Sequence, residues 1–135
     1  MNELAEQFPA NESPTLRLLA TAADTNAAGD IFGGWIMAQV DIAGSVVAHQ
    51  RARGRVVTVA VNSFHFQKPV FVGDLVSCYA RVARVGRTSI TVDVEVFAQR
   101  GHDRNQVIRV TKASLTYVAI DDNRRPKAVS EDTVP

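Results

Sequence analysis

The sequence predicts a single α+β domain in which one long helix is wrapped by a curved antiparallel sheet. An apolar repeat of helical period runs from about Phe32 to about Arg51. Four segments rich in β-branched and aromatic residues follow it, and the short connections between them favour antiparallel pairing. Since no other segment is available to cover the helix, we expect the sheet to curl around it.

Length and composition are those of an ordinary soluble globular protein. The 135 residues suit one domain, 1–135, with loosely ordered ends at 1–14 and 121–135. A net charge of +1 gives no reason to expect nucleic acid or a membrane as partner. The amino terminus lacks the apolar segment of a signal peptide, and Cys78 has no second cysteine to pair with. We therefore expect a cytoplasmic protein.

The predicted helix begins after a loop rich in Gly, Asp and Asn. Asp30 is the residue type that caps a helix amino terminus, so we expect it to cap this one. Within the helix a continuous apolar stripe recurs at helical spacing, formed by Ile36, Val40, Ala43 and Val47. Most of the other faces are also apolar or small, which predicts a helix buried nearly all round.

The strands are predicted from alternation and from turn residues between them. In the segment 88–100, apolar residues at even positions alternate with Thr91, Asp93 and Glu95, so one face of the sheet is buried and the other wet. Pro69 and the pair Gly73-Asp74 mark one turn, and Gly86 marks the next. The five predicted strands are 15–21, 55–66, 75–85, 88–100 and 107–120.

Glycines at the helix entrance, Gly33 and Gly34, are candidates for function. The first backbone N–H groups of a helix have no partner inside it, and glycine lets a ligand oxygen approach them closely. Developing negative charge on such an oxygen would be stabilised there. The alternative is that these glycines only allow close packing, and their spacing does not decide between the two interpretations.

Asp41 and Asn26 are the polar candidates near this entrance. The helical neighbours of Asp41 are small or apolar, an environment that suits a general base. It could instead face solvent or pair with an arginine. The amide of Asn26 could orient a water molecule or a carbonyl group, although turn geometry alone also accounts for an asparagine in a loop.

The remaining reactive or charged residue types indicate no metal or nucleophile chemistry. The three histidines lack the spacing of a zinc site and have no evident Ser or Cys partner, and Cys78 alternates with core residues. We therefore expect neither a metal nor a cofactor. Arg87, with Thr88 and Ser89 beside it, could bind a phosphate by charge and several donors, and Lys68 is a second candidate.

Four stretches together resemble the bacterial YciA-type acyl-CoA thioesterases. They are "DTNAAGDIFGGWIMAQVD", "RGRVVTV", "KPVFVGD" and "VGRTSI", and the resemblance runs from about Leu16 to Ile120. It implies the hotdog fold, a long helix wrapped by an antiparallel sheet. It also implies hydrolysis of acyl-CoA thioesters to a free acid and coenzyme A. One departure is Ala28, where many relatives have asparagine.

The resemblance also assigns roles to residues. The catalytic carboxylate falls on Asp41, the active-site amide on Asn26, and the N–H groups that polarise the carbonyl on Gly33 and Gly34. Asp41 would act either as general base for water or as nucleophile through a mixed anhydride. A non-catalytic acyl-CoA sensor of the same fold is the alternative function, and a hotdog dehydratase is a third.

Helix geometry then predicts an oligomer. Gly33 and Asp41 are eight residues apart, which is about 12 Å along a helix. One carbonyl group must lie within about 3 Å of both donor and base. Two antiparallel helices across a twofold axis satisfy this, so we expect a homodimer. Helix geometry requires no more than the dimer, and we separately expect a larger assembly, a hexamer built as a trimer of dimers.

Overall fold

The computed structural model describes residues 7–131, and within them one long helix packs on one sheet, which confirms the predicted fold class. Each element lies close to its predicted position. The elements are β1 (Leu16–Leu19), a short 3₁₀ helix (Ala22–Asp24), α1 (Gly33–Ala52), β2 (Val56–Phe66), β3 (Leu75–Val85), β4 (Ser89–Arg100) and β5 (Gln106–Ala119).

The sheet has the strand order β1-β3-β4-β5-β2, and every neighbouring pair is antiparallel. The pairing between β2 and β5 shifts register twice, between Thr58 and Ala60 and between Val61 and Ser63. Such irregularities bend a strand and increase its twist, so they help the sheet curve around α1. Because β2 pairs with β5 alone among the described residues, its outer edge is open.

Helix α1 packs one face against the concave side of the sheet. The buried positions on this face are Ile36, Val40, Ala43, Gly44 and Ala48. They meet the inward residues of the strands, which alternate as the sequence predicts along β4. The core therefore lies between α1 and the sheet, and it fixes the rotation of α1 about its own axis.

The expectation of a helix buried nearly all round is wrong for the single chain. Phe32 at the start of α1 is 52% exposed and Ile42 is 50% exposed, and strand β2 exposes Val59 by 55%. The physical reason is that one sheet covers one face of a helix and leaves the opposite face open. The exposed large apolar residues of α1 and β2, called here the α1–β2 apolar face, are Phe32, Met37, Ile42, Val46, Val59, Val61 and Phe66.

Both chain ends, for which the sequence predicts loose order, have specific packing partners where they are described. Phe8 lies against Tyr79 and Phe97, with ring centroids 5.6 Å apart in each case. At the other end, Val129 is buried in the core and its N–H donates to the Arg87 carbonyl at 2.8 Å. The predicted loose segments at 1–6 and 132–135 lie outside the described residues.

Asp74 ties the loop between β2 and β3 to the sheet. Its buried carboxylate accepts hydrogen bonds from the Phe71 N–H at 2.9 Å and from Arg100 at 2.7 and 3.0 Å. In the same loop, the Val70 carbonyl accepts a hydrogen bond from the Ile31 N–H, and Phe71 forms a β-bridge with Asp30. Asp74 thus helps to position the loop that leads into α1.

We expect Asp74→Asn to lower the free energy of unfolding by about 2–3 kcal/mol, because Arg100 would lose its charged partner in a mostly buried site. Chemical denaturation measures the change. Asp93→Asn is the matched control, because it removes the same charge from an exposed position on β4. It should change the free energy of unfolding by no more than about 0.5 kcal/mol. Equal effects of the two substitutions would contradict the role of Asp74.

Candidate active site

Helix α1 begins without a side-chain cap, so the predicted capping role of Asp30 is wrong. Phe32 occupies the cap position, and no side chain within residues 7–131 caps the first turn. Asp30 lies two residues too early, and its backbone is engaged elsewhere, with its N–H donating to Asn26 Oδ1 at 3.1 Å. Among the described residues the N–H groups of Gly33 and Gly34 therefore have no partner.

Asn26 is held in one orientation by the loop. Its side-chain oxygen accepts the N–H groups of Ala28 and Asp30 at 2.9 and 3.1 Å, and its own N–H donates to the Asp30 carbonyl at 2.7 Å. Because two donors fix the amide oxygen, the NH₂ group must point away from them. That group donates no hydrogen bond within residues 7–131, so it is available as a donor to a ligand.

The two entrance glycines differ in what surrounds them. A Cβ on Gly33 would lie 3.3 Å from the Phe66 ring, so packing favours glycine there. A Cβ on Gly34 would meet nothing within 4 Å, so packing in the chain does not require glycine at that position. Gly33 and Asn26 both line a cavity of about 340 Å³ at the helix entrance, together with Phe66 and Lys68.

Asp41 lies two turns further along α1, where two hydroxyl groups hold its carboxylate. The Thr58 hydroxyl donates to Oδ1 at 2.7 Å. The Tyr117 hydroxyl lies 3.1 Å from the same Oδ1 and 3.0 Å from the Asp41 carbonyl oxygen. The other carboxylate oxygen of Asp41, Oδ2, accepts no hydrogen bond from the described residues. One oxygen is therefore fixed, and the other is open to a substrate or water.

Tyr117 is suited to be a permanent donor. Burial, with the neighbouring charge of Asp41 as a smaller cause, raises the pKa of its hydroxyl far above the usual range. Gly44 provides the space, because a Cβ on that residue would overlap the Tyr117 hydroxyl. This close approach accounts for a glycine in the middle of a helix, where its low helix propensity is otherwise unfavourable.

Thr58 and Tyr117 are absent from the sequence prediction. The sequence of each strand is that of an ordinary half-buried segment. Thr58 is 17 residues from Asp41 along the chain, and Tyr117 is 76. Only the pairing of β2 with β5, where Thr58 lies opposite Tyr117, brings them to the same carboxylate. The mid-helix Gly44, one turn after Asp41, is the one available signal that something packs closely there.

The predicted phosphate contacts are separated within the chain. Lys68 lines the entrance cavity beside Asn26. Ser89 pairs with Val118 on β5, whereas Phe66 at the entrance pairs with Thr111, seven residues away. Seven strand residues span about 23 Å. Arg87, Thr88 and Ser89 therefore lie at the end of the sheet opposite to the helix entrance of the same chain.

The other reactive residue types show no alternative site in the part of the chain that the structure describes. Residues 7–131 contain no group of three His, Cys, Asp or Glu side chains placed to hold a metal ion. Burial raises the pKa of the Cys78 thiol to about 12, which makes it a poor nucleophile. None of the described helices is long and apolar enough to cross a membrane.

A family model and known proteins with similar sequences agree on the family of this chain. The model of the "Thioesterase superfamily" matches residues 28–104. The acyl-CoA thioester hydrolase YciA of Escherichia coli is 47% identical over 116 residues, which cover 84% of this chain and 88% of that protein. Gly33, Gly34 and Asp41 lie within the residues that the family model matches, and Asn26 lies two residues before them.

Solved structures agree in fold and in sequence. A hexameric thioesterase from Yersinia pestis superposes with a TM-score of 0.84 at 49% identity, over 93% of this chain and 100% of that one. An Asp-to-Ala variant of a hexameric, broad-specificity acyl-coenzyme A thioesterase superposes with a TM-score of 0.85 at 45% identity, over 90% and 89% of the two chains. The chain therefore belongs to the thioesterase superfamily, among its hotdog-fold, YciA-type members.

Proposed function

We propose that this protein is an acyl-CoA thioesterase in which Asp41 carries the chemistry. The observation that supports this most directly is the Asp41 carboxylate, with one oxygen held by Thr58 and Tyr117 and the other open. A carboxylate held in this orientation can act as a general base or as a nucleophile. The relatives named for hydrolysis of acyl-CoA thioesters identify the substrate class.

In the favoured route, Asp41 Oδ2 takes a proton from water as the water oxygen attacks the thioester carbonyl carbon. The carbonyl oxygen becomes negative and is stabilised by the free N–H groups of Gly33 and Gly34 at the start of α1. The carbon–sulfur bond then breaks, and the proton passes to the leaving thiolate of coenzyme A. In the alternative route, Asp41 attacks the same carbon and forms a mixed anhydride that water hydrolyses.

The site is completed by a second copy of the chain. Gly33 and Asp41 are about 12 Å apart along the helix axis, too far for both to contact one carbonyl. The α1–β2 apolar face and the open edge of β2 supply the surface on which a second copy can pack. In a twofold dimer with antiparallel helices, the Asn26 and Gly33 of one protomer face the Asp41 of its partner.

The relatives support a proposal for a larger assembly. Thioesterases from Yersinia pestis and Campylobacter jejuni with TM-scores of 0.84 are described as hexameric. We propose that this chain forms the same assembly as three dimers. We further propose Lys68, Arg87, Thr88 and Ser89 as contacts for the polar parts of coenzyme A.

The activity is tested by thiol release from a panel of acyl-CoA thioesters of increasing chain length. We expect the native protein to release coenzyme A, and Asp41→Asn to lower kcat by about 100-fold or more. Asp93→Asn removes a carboxylate of the exposed sheet surface and should leave kcat unchanged. Release from none of the chain lengths would contradict the proposal and favour a non-catalytic binding protein of the same fold.

Removal of the Tyr117 hydroxyl tests how Asp41 is held. Tyr117→Phe keeps the buried ring but leaves Oδ1 with the Thr58 hydroxyl alone, so the carboxylate is less firmly oriented. We expect kcat to fall about tenfold with KM unchanged. Tyr79→Phe is the matched control, because Tyr79 is also buried but lies on β3 against Phe8 and Phe97. Tyr79→Phe should lower the free energy of unfolding about as much as Tyr117→Phe does, and it should leave kcat unchanged. Equal losses of kcat would show a general effect of destabilisation.

A further inference from the structure

Arg100, the last residue of β4, contacts both ends of the loop between β2 and β3. Its guanidinium donates hydrogen bonds to the buried Asp74 carboxylate at 2.7 and 3.0 Å. The nitrogen that forms the shorter of these bonds also donates to the Pro69 carbonyl at 3.2 Å. Between these two contacts the guanidinium lies over the Phe71 ring, 4.5 Å from its centroid. One side chain therefore holds the segment 69–74, called here the 69–74 loop, at both of its ends.

The 69–74 loop is joined in turn to the segment that leads into α1. The Val70 carbonyl accepts the N–H of Ile31 at 3.0 Å, and the side chains of both residues are buried. Ile31 comes two residues before Gly33, the first residue of α1. Because this connection is short and buried, a displacement of the 69–74 loop also displaces the start of the helix.

Asp30 connects the same loop to the orientation of the Asn26 amide. Asp30 lies opposite Phe71 in a β-bridge. Its N–H donates to Asn26 Oδ1 at 3.1 Å, and its carbonyl accepts the N–H of Asn26 at 2.7 Å. The orientation of the Asn26 amide therefore depends on a backbone segment that is paired with the 69–74 loop.

We propose that Arg100 is a positioning residue for hydrolysis, which holds the Asn26 amide and the Gly33 N–H in place through the 69–74 loop. The inference rests on the proposed function, because it takes these two groups to act on the thioester. Groups that stabilise a developing charge work only at hydrogen-bonding distance, so a displacement of about 1 Å can cost a large factor in rate. The start of the 69–74 loop also lines the entrance cavity, next to these groups.

The contacts of this side chain require an arginine. Its planar guanidinium presents N–H donors in a fixed fork, so it bonds to both oxygens of Asp74 and to the Pro69 carbonyl while it lies over Phe71. A lysine keeps the positive charge beside Asp74 but has one compact ammonium group without the fork. Arg100→Lys therefore removes the positioning contacts and preserves the charge balance of the buried carboxylate.

Steady-state kinetics with an acyl-CoA provide the first test. We expect Arg100→Lys to lower kcat about tenfold and to change KM by less than about twofold, because the displaced groups stabilise the transition state. Arg81→Lys is the matched control, since Arg81 also bonds to carboxylates, those of Glu12 and Glu95, but lies further along β3. Arg81→Lys should leave kcat unchanged. Equal losses of kcat in the two variants, measured well below their melting temperatures, would overturn the proposal.

Hydrogen exchange followed by mass spectrometry provides the second test, which does not depend on activity. The segment 26–36 contains the loop that is paired with 69–74 and the first turn of α1. We expect Arg100→Lys to speed exchange in 26–36 about tenfold, while the β4 segment 89–96 exchanges as in the native protein. Arg81→Lys should leave 26–36 unchanged. Native exchange in 26–36 of Arg100→Lys would overturn the proposal, and so would equal acceleration in both segments.

A milder variant provides the test if Arg100→Lys does not fold. The Phe71 ring is 38% exposed, so Phe71→Leu removes the stacking partner of the guanidinium and keeps its bonds to Asp74. We expect kcat to fall about threefold, with faster exchange in the segment 26–36. Native kcat together with native exchange in Phe71→Leu would then overturn the proposal.

The two proposals fail in different ways. If the native protein hydrolyses no thioester, yet Arg100→Lys speeds exchange in 26–36, the proposed function is contradicted and Arg100 is supported as the residue that holds the start of α1. If the native protein hydrolyses acyl-CoA, and Arg100→Lys changes neither kcat nor exchange, the function is supported and the positioning role is overturned. Faster exchange with unchanged kcat would also overturn that role.

Discussion

The hydrogen bonds that Thr58 and Tyr117 donate to Asp41 join the helix to two strands at the point where chemistry is proposed. They require β2 to pair with β5 in one register, since Thr58 lies opposite Tyr117. They also require Gly44, because a side chain there would occupy the place of the Tyr117 hydroxyl. The sheet register, the rotation of α1 and the orientation of one carboxylate are therefore linked.

A second constraint is the length of the helix between its free N–H groups and Asp41. The uncapped entrance of α1 has donors but no base, and the middle of α1 has a base but no free backbone donors. The same chain leaves an apolar face and an open strand edge exposed. The proposed twofold dimer would account for both features, because it would cover the apolar face and complete the site.

The sequence predicts the fold well because its elements have clear periods. The helix and the strands follow from residues spaced at 3.6 and at 2, and β3 is found at its predicted bounds, Leu75–Val85. The prediction fails where it depends on distant residues. Asp30 does not cap α1, because the loop places Phe32 at the cap position, two residues further on. Thr58 and Tyr117 reach Asp41 only through strand pairing. Residue type and position make Asn26, Gly33 and Asp41 candidates, with structural alternatives left open, and the resemblance to a family assigns their roles.

The central claim is that each site takes Asn26 and Gly33 from one protomer and Asp41 from its partner. Asn26→Ala and Asp41→Ala can be unfolded together and refolded as a mixture, and the mixed dimer isolated by two affinity tags. One site of that dimer collects both defects and the other collects none. The account predicts about half of the native activity per mixed dimer, although each variant alone is nearly inactive. An inactive mixed dimer would contradict it and would assign both groups to the same chain.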